Sequence, residues 1–279
     1  MAFNRSAGQP LLEVPLSDTH AITRVRYQTR YRRLEVRRIE SLTPRMRRIV
    51  LGGDELNGFT SLGFDDHVKL FFPDATGHLP AGATGDDGKT AFADGSRPAS
   101  RDFTPRRYEP ASRELTIDFS LHGAGPAATW AAAVREGSPL GVAGPRGSQV
   151  VSDTFDWNLL IGDETALPAI GRRLEELPSR VAAIVVVEVE EAAEQLPLDR
   201  PGTDVHWVYR KGGTPPLDQL VATLALPAGD GFAWVAGEAA MARRLRTHLI
   251  QQRGIDKAWV KAAAYWRIGD VGKHEVLAD

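Results

Sequence analysis

The pattern of the chain changes at Gly144-Pro145-Arg146-Gly147-Ser148, and this change most constrains what the chain can fold into. Before it, short stretches of alternating apolar and polar residues recur with turn residues between them. After it, apolar runs alternate with segments of helical spacing. One regular sheet cannot satisfy both patterns, so the chain reads as two units joined by a hinge at 144–148. The expected division is a flexible arm at 1–30, a β unit at 31–148 and an α/β unit at 149–279, and 279 residues suffice for two medium domains.

In the first unit, 34–39 and 46–51 alternate as two strands, with Ser41-Leu42-Thr43-Pro44 in the turn. A third strand at 66–72 ends at Pro73. Strands are also expected at 101–104, 115–121 and 140–143, with one good helix at 127–134. Six short strands with turn signals predict a closed six-stranded antiparallel barrel. The arm lacks periodicity; its arginines could meet anionic lipid or a partner, but a solvated tail is the simpler reading. Residues 74–96 are rich in Gly, Asp, Ala and Thr and read as a mobile excursion. Asp86-Asp87-Gly88 lacks the ligand spacing of a calcium loop, so no metal is assigned there.

In the second unit, strands are expected at 157–161, 182–189, 205–209, 232–236 and 258–265. The run 182–189 is apolar nearly throughout, as for a strand buried on both faces. Helices are expected where Leu167, Ile170, Leu174 and Leu177 recur, and at 217–224 and 238–252. This alternation predicts a doubly wound parallel sheet, with ligands outside the carboxyl ends of its strands. The Gly162 and Gly237 turns lie at those ends. There is no G-x-G-x-x-G and no P-loop. Asp163 and Glu164 disfavour phosphate unless they point away, and Asp163 or Thr165 could instead cap a helix. Glu188 to Glu191 suit a ribose 2′-OH, whereas Arg210 and Lys211 would favour a 2′-phosphate.

Chemistry is concentrated in two stretches. Arg101-Asp102-Phe103-Thr104-Pro105-Arg106-Arg107-Tyr108 places guanidinium groups, a ring and a hydroxyl on an extended segment, because Pro105 turns Thr104 away from helix. Such a segment can offer a ring to a flat heterocycle and donors to a phosphate, or form an edge strand guarded by charge. The second stretch, His122-Gly123-Ala124-Gly125-Pro126-Ala127-Ala128-Thr129-Trp130-Ala131, turns a strand into a helix whose free N–H groups suit an anion.

Composition excludes several classes. The formal charge of −2 does not support nucleic acid as a partner. With no Cys, the chain cannot build a Cys-ligated zinc or iron–sulfur site, a disulfide framework or a thiol nucleophile. Redox chemistry would therefore need a bound organic cofactor or a partner. No stretch approaches the roughly 20 apolar residues of a membrane span, and no apolar signal core opens the chain, so a cytoplasmic location is expected.

Together these stretches resemble the siderophore-interacting protein family, flavin-containing ferric-siderophore reductases related to the ferredoxin reductases. Gly162-Asp163-Glu164-Thr165-Ala166-Leu167-Pro168-Ala169-Ile170, Ala264-Tyr265-Trp266-Arg267-Ile268-Gly269 and Gly144-Pro145-Arg146-Gly147 also match. The resemblance runs from about Arg32 to Gly269. It departs at Phe103, where the family usually carries Tyr, and at the long 74–96 segment.

The resemblance implies FAD in a cradle at the barrel edge. Arg101 would take the pyrophosphate, Phe103 and Thr104 the isoalloxazine, and Ala128, Thr129 and Trp130 the phosphate at the helix start. His67, Asp102, Asp118, Phe119, Leu121 and His122 would complete the cradle. Asp163 and Thr165 would lie towards NADH or NADPH, and Tyr265 and Trp266 towards the flavin. A ferredoxin-type donor is an alternative electron source. The implied substrate is a ferric siderophore, reduced by outer-sphere transfer with no catalytic acid or base. Many such chelates are anionic, so Arg45, Arg146, Lys261 and Arg267 are candidate substrate contacts. A flavin reductase serving a partner oxygenase, and a non-catalytic binding protein of the same fold, are the competing readings.

Overall fold

The computed structural model describes residues 20–121, 125–212, 214–269 and the strand Glu275–Val276. Its first half contains β1 (Ile22–Arg26), β2 (Tyr31–Thr43), β3 (Met46–Gly52), β4 (Val68–Phe71), β5 (Gly82–Thr84), β6 (Thr90–Phe92), β7 (Ser100–Phe103), β8 (Arg107–Glu109), β9 (Glu114–Ser120), helix α1 (Pro126–Ala133), β10 (Pro139–Ala143) and β11 (Gly147–Val151).

Seven of these strands form one antiparallel sheet in the order β7-β4-β10-β2-β3-β9-β8. Its two edge strands are consecutive in the chain, with only Thr104, Pro105 and Arg106 between them. The sheet must therefore curl until its edges approach. Two irregularities in the β2–β3 register help the long β2 to bend. The result is the expected antiparallel barrel with a seam at Pro105, built of seven strands, one more than the six expected. The added strand, β8, is too short to show alternation. Inside the barrel, Leu34, Val36, Ile49, Leu51, Val68, Leu70, Ile117 and Phe119 form a dry core, on which the apolar α1 sits.

Two expectations are corrected here. The arm at 1–30 carries β1, which pairs antiparallel with β11, Ile22 opposite Val151. Gly147 and Ser148, expected in a hinge, thus lie in a strand. A Cβ on Gly147 would stand 2.3 Å from the Val25 carbonyl oxygen, so the close approach of β1 needs glycine. The 74–96 excursion contains the β5–β6 hairpin. Leu79 and Phe92, isolated among polar residues in sequence, pack against Tyr31 and Phe71 on the barrel exterior.

The second half comprises β12 (Trp157–Asp163), α2 (Leu167–Glu176), β13 (Ala182–Val189), β14 (Thr203–Tyr209), α3 (Leu217–Thr223), β15 (Gly231–Glu238), α4 (Ala239–Gln251), β16 (Val260–Trp266) and β17 (Glu275–Val276). The sheet order is β14-β13-β12-β15-β16-β17, parallel except for β17. The strand order reverses between β12 and β15, which makes their carboxyl ends a topological switch point. Leu217, Val221, Leu245 and Leu249 of α3 and α4 pack on one sheet face. Leu167, Ile170 and Leu174 of α2 cover the other, which also meets the barrel.

The halves join through residues 59–66. The Phe64 ring packs on Trp234 at 5.3 Å. Asp65 accepts Lys261 Nζ at 2.7 Å and Trp234 Nε1 at 3.0 Å. Arg172 of α2 donates to the Ser61 and Pro105 carbonyls at 2.8 and 3.0 Å. Lys261, expected to hold substrate, is thus committed to the interface: its side chain is 11% exposed and that of Asp65 is 6% exposed. The cause is strand parity, since Lys261, Ala263 and Tyr265 share the barrel-facing side of β16.

Removing one partner of a buried ion pair typically costs 3–5 kcal/mol. Asp65→Ala should therefore lower the unfolding free energy by about that much in urea titrations. Asp65→Leu combined with Lys261→Met should recover most of the loss. A cost below about 1 kcal/mol would mean that the pair does not hold the halves together.

Candidate active site

A cleft of about 1020 Å³ runs along the junction of barrel and sheet. On the barrel side its wall is β7, Thr104 and the start of α1. On the sheet side it is formed by residues at the carboxyl ends of β12 to β16.

The barrel wall combines a ring, a cation and a helix start. Phe103 lines the cleft and is backed by Phe119, with ring centroids 4.5 Å apart. Arg101 lines it too. Its guanidinium donates to the Ser100 carbonyl at 2.7 Å, and among the described residues it has no carboxylate partner. Asp102 is paired with Lys69 at 2.6 Å. At α1, Gly125 is the N-cap without a side-chain cap, and Pro126 begins the helix. The Thr129 N–H closes the first turn on the Gly125 carbonyl, which leaves the N–H groups of Ala127 and Ala128 without an acceptor inside the helix. Both residues line the cleft. A helix start beside a carboxylate-free guanidinium suits a phosphate.

Asp118 is buried under the same wall. Arg48 grips both its oxygens, Nε at 2.7 Å and Nη2 at 2.8 Å. Arg106 stands 3.9 Å away and itself pairs with Glu175 of α2 at 2.9 Å. Arg106 thus links Asp118 of the barrel wall to Glu175 of the sheet domain.

The sheet wall is acidic. Arg210 is held by three carboxylates: Glu164 at 2.6 Å, Glu188 at 3.3 Å and Glu190 at 3.3 Å. Lys211 reaches Glu190 at 2.9 Å. Lys211 and then Arg210 hold the Glu190 carboxyl down at about 2. Glu238 caps α4 with its own side chain, accepting from Ala240 N at 2.7 Å and Met241 N at 3.0 Å. Asp163, 3% exposed, accepts from Thr165 N at 2.9 Å, Glu238 N at 3.1 Å and Trp266 Nε1 at 2.8 Å. Tyr265 hydrogen-bonds the Thr104 side chain across the junction. Burial first, and Asp65 next, push its phenol above the ordinary range.

Of the residues proposed from sequence, the cleft gathers His67, Arg101, Asp102, Phe103, Thr104, Asp118, Ala128, Asp163, Thr165, Tyr265 and Trp266. Phe119 and Trp130 do not line it: both pack within the barrel core group, their rings 5.5 Å apart. Leu121 packs against that core as well, and Thr129 sits on the exposed face of α1. His122 lies outside the described residues. The proposed substrate cations are not gathered. Arg146 is exposed and donates to the Gly88 carbonyl near the hairpin, Lys261 is buried with Asp65, Arg45 sits in the β2–β3 turn and Arg267 is exposed on the tail. Sequence reading did not assign roles to Gly125, Ala127, Met241 and Ile268. For the first two, the Gly-Pro helix start was the available signal.

Residues 155–269 match the family pattern described as siderophore-interacting protein, and residues 35–149 match the siderophore-interacting FAD-binding domain. The chain belongs to the siderophore-interacting protein family. It is 39% identical over 248 residues to an NADPH-dependent ferric-chelate reductase of Escherichia coli, covering 87% of this chain and 95% of the relative. It is 32% identical over 245 residues to the ferric vibriobactin reductase ViuB of Vibrio cholerae, covering 85% and 90%. A siderophore utilization protein from T. fusca has the same fold, with a TM-score of 0.80 at 38% identity over 91% of this chain and 98% of that one.

The family's FAD-binding region coincides with the barrel, and its walls fit that cofactor. Arg101 and the α1 start suit the pyrophosphate, Phe103 offers a ring face, and the lining is more apolar than polar. Among the described residues no cluster of His, Asp and Glu could hold a metal ion, and no helix is long and apolar enough to cross a membrane.

Burial, and then Glu164, push Asp163 up to about 6 from its ordinary 3.8. The folded protein thus binds this proton more tightly than the unfolded chain does. The contribution favours folding in full below about pH 4 and is lost as pH rises through about 6. Two units correspond to roughly 3 kcal/mol. The stability of the wild type minus that of Asp163→Asn should fall by that order between about pH 4 and pH 7 in denaturant titrations. A pH-independent difference would contradict the assignment.

Proposed function

We propose that this protein is a ferric-siderophore reductase that takes electrons from NADH or NADPH through FAD and delivers them to a ferric chelate, whose iron leaves as Fe(II). The observation that carries the reading is the continuity of one cleft. It runs from the Arg101 and α1 phosphate site on the barrel to the switch point of the parallel sheet. A ring held at β7 can then be reached from the nucleotide side. The activities named for the Escherichia coli and Vibrio cholerae relatives support the same reading.

Bound FAD would supply the conversion between the two-electron chemistry of a nicotinamide and the one-electron chemistry of ferric iron. The chain supplies position and charge. Arg101 and the N–H groups of Ala127 and Ala128 would hold the pyrophosphate, and Phe103, packed on Phe119, would bear on the ring. Tyr265 ties the end of β16 to Thr104, and Trp266 walls the cleft beside it. Outer-sphere reduction breaks no covalent bond in the chelate, so no acid or nucleophile is required there; the one proton left from each hydride, after two electrons have reached two Fe(III), passes to solvent. Fe(II) is a weaker partner than Fe(III) for hard oxygen donors, so reduction favours release.

At the nucleotide end, Glu188 and Glu190 suit a ribose 2′-hydroxyl. A 2′-phosphate could take Arg210 only by exchanging with its carboxylates. Among the described residues, the arginines of the cleft wall other than Arg101 are paired, Arg210 with its glutamates and Arg244 with Asp218 at 3.0 Å, which favours capture of the chelate at the rim. The competing flavin-reductase reading needs no ferric chelate at all.

Arg101→Ala should weaken FAD binding at least tenfold in equilibrium dialysis, because a charge-assisted contact worth about 1.5–3 kcal/mol is lost. Full flavin occupancy in that variant would remove Arg101 from the site. Anaerobic NADH or NADPH oxidation by the holoprotein should depend on added ferric chelate. Oxidation that ignores the chelate but responds to free flavin would favour the flavin-reductase reading.

A further inference from the structure

Four hydrogen-bond donors converge on the buried Asp163 carboxylate. Thr165 N and Thr165 Oγ1 address one oxygen, and Glu238 N and Trp266 Nε1 the other. An ionised carboxylate accepts on both sides, whereas an amide would turn an N–H₂ towards two of these donors. The elements joined are the ends of β12, β15 and β16, which meet at the switch point. The backbone is shaped for the contact. Gly237 has φ +145°, and a Cβ there would stand 2.5 Å from Asp163 Oδ2. The register between β15 and β16 shifts at Gly237/Glu238, which brings Glu238 opposite Trp266.

Trp266 is an unusual surface residue. It is 38% exposed and lines the cleft, yet its indole N–H is held at 2.8 Å. Its neighbour Tyr265 is fastened to Thr104 at the end of β7, whereas Ile268 beyond it is 75% exposed. A large flat side chain that lines the cleft is thus clamped through its N–H.

We propose that Asp163 is a positioning residue that fixes the Trp266 indole as the cleft wall where the nicotinamide end of the reductant enters. The inference rests on the reductase reading for its purpose, but not for its geometry. Loosening the indole opens the wall to water and to unproductive postures of the nicotinamide. It leaves the barrel-side contacts and the chelate's approach unchanged.

The test pairs Asp163→Asn with Trp266→Phe, which keeps a ring and removes only the N–H-bearing part. In the flavin-free protein, the indole ¹⁵N–¹H resonance of Trp266 is assigned by its loss in Trp266→Phe. In the wild type its hydrogen exchange should be at least tenfold slower than in Asp163→Asn. In the holoprotein, each variant should raise the KM for the nicotinamide nucleotide about tenfold, with the KM for ferric citrate moved less than twofold. The double variant should be no worse than either single one, because both remove the same contact.

An unchanged indole exchange rate in Asp163→Asn would overturn the proposal. So would additive KM effects near a hundredfold, or equal losses for nucleotide and chelate. Should wild-type holoprotein not reduce ferric citrate or any other chelate, the reductase reading falls. Nucleotide affinity in the flavin-free variants, measured by calorimetry, then decides the proposal by the same tenfold, non-additive criterion.

Discussion

Asp65 receives the Lys261 ammonium and the Trp234 indole N–H inside the contact between barrel and sheet, and the geometry of the cleft depends on that contact. Neither half makes the site alone. The barrel supplies a cation, a ring and a helix start; the sheet supplies a switch point lined with carboxylates. Their separation is set by what lies between them: Phe64 on Trp234, Arg172 on the Ser61 and Pro105 carbonyls, and Arg106 bridging towards Glu175. Apolar packing alone would allow sliding. Buried charge pairs with fixed hydrogen-bond directions do not.

Charge in the cleft is arranged by pairing rather than by excess. Asp118 is gripped by Arg48, Asp102 by Lys69 and Arg210 by three glutamates. Arg101 stands apart, without a carboxylate among the described residues. A dinucleotide phosphate is strongly attracted to one unpaired guanidinium beside open helix N–H groups, and only weakly to cations already neutralised. The acidic sheet wall works in the other direction. It leaves an anionic ligand few places to put a second phosphate charge. Trp266 and Tyr265 line the same cleft, the first hydrogen-bonded to Asp163 and the second to Thr104.

Much of the fold was legible in the sequence. Residues 182–189 declared a buried parallel strand because six residues in a row, Ala182 to Val187, are apolar, and the strand occupies those positions. The barrel strands showed through alternation and the helices through spacing. What was illegible depended on distant partners. Ile22–Arg26 looks like a tail until β11 pairs with it, and the segment bearing the β5–β6 hairpin packs on the barrel through Leu79 and Phe92, whose role local composition hides. Of the proposed cofactor residues, those on cleft-facing strand positions line the cleft. Phe119 does not, because it alternates with Asp118 and must face the opposite side. Lys261 failed for the same reason. Its basic character and aromatic neighbours suggested a substrate contact, whereas the parity of β16 turns it towards the barrel.

The central claim is that electrons leave a flavin seated in this cleft for iron that the protein does not ligate. The most direct measurement is a single turnover. Holoprotein is reduced anaerobically with one equivalent of NADH or NADPH, then mixed with a ferric hydroxamate in the presence of an Fe(II) trap. The oxidised flavin band should return without oxygen as two Fe(II) appear per flavin, matching the two electrons of a hydride. A flavin that stays reduced until oxygen is admitted, with no Fe(II) formed, would contradict the account.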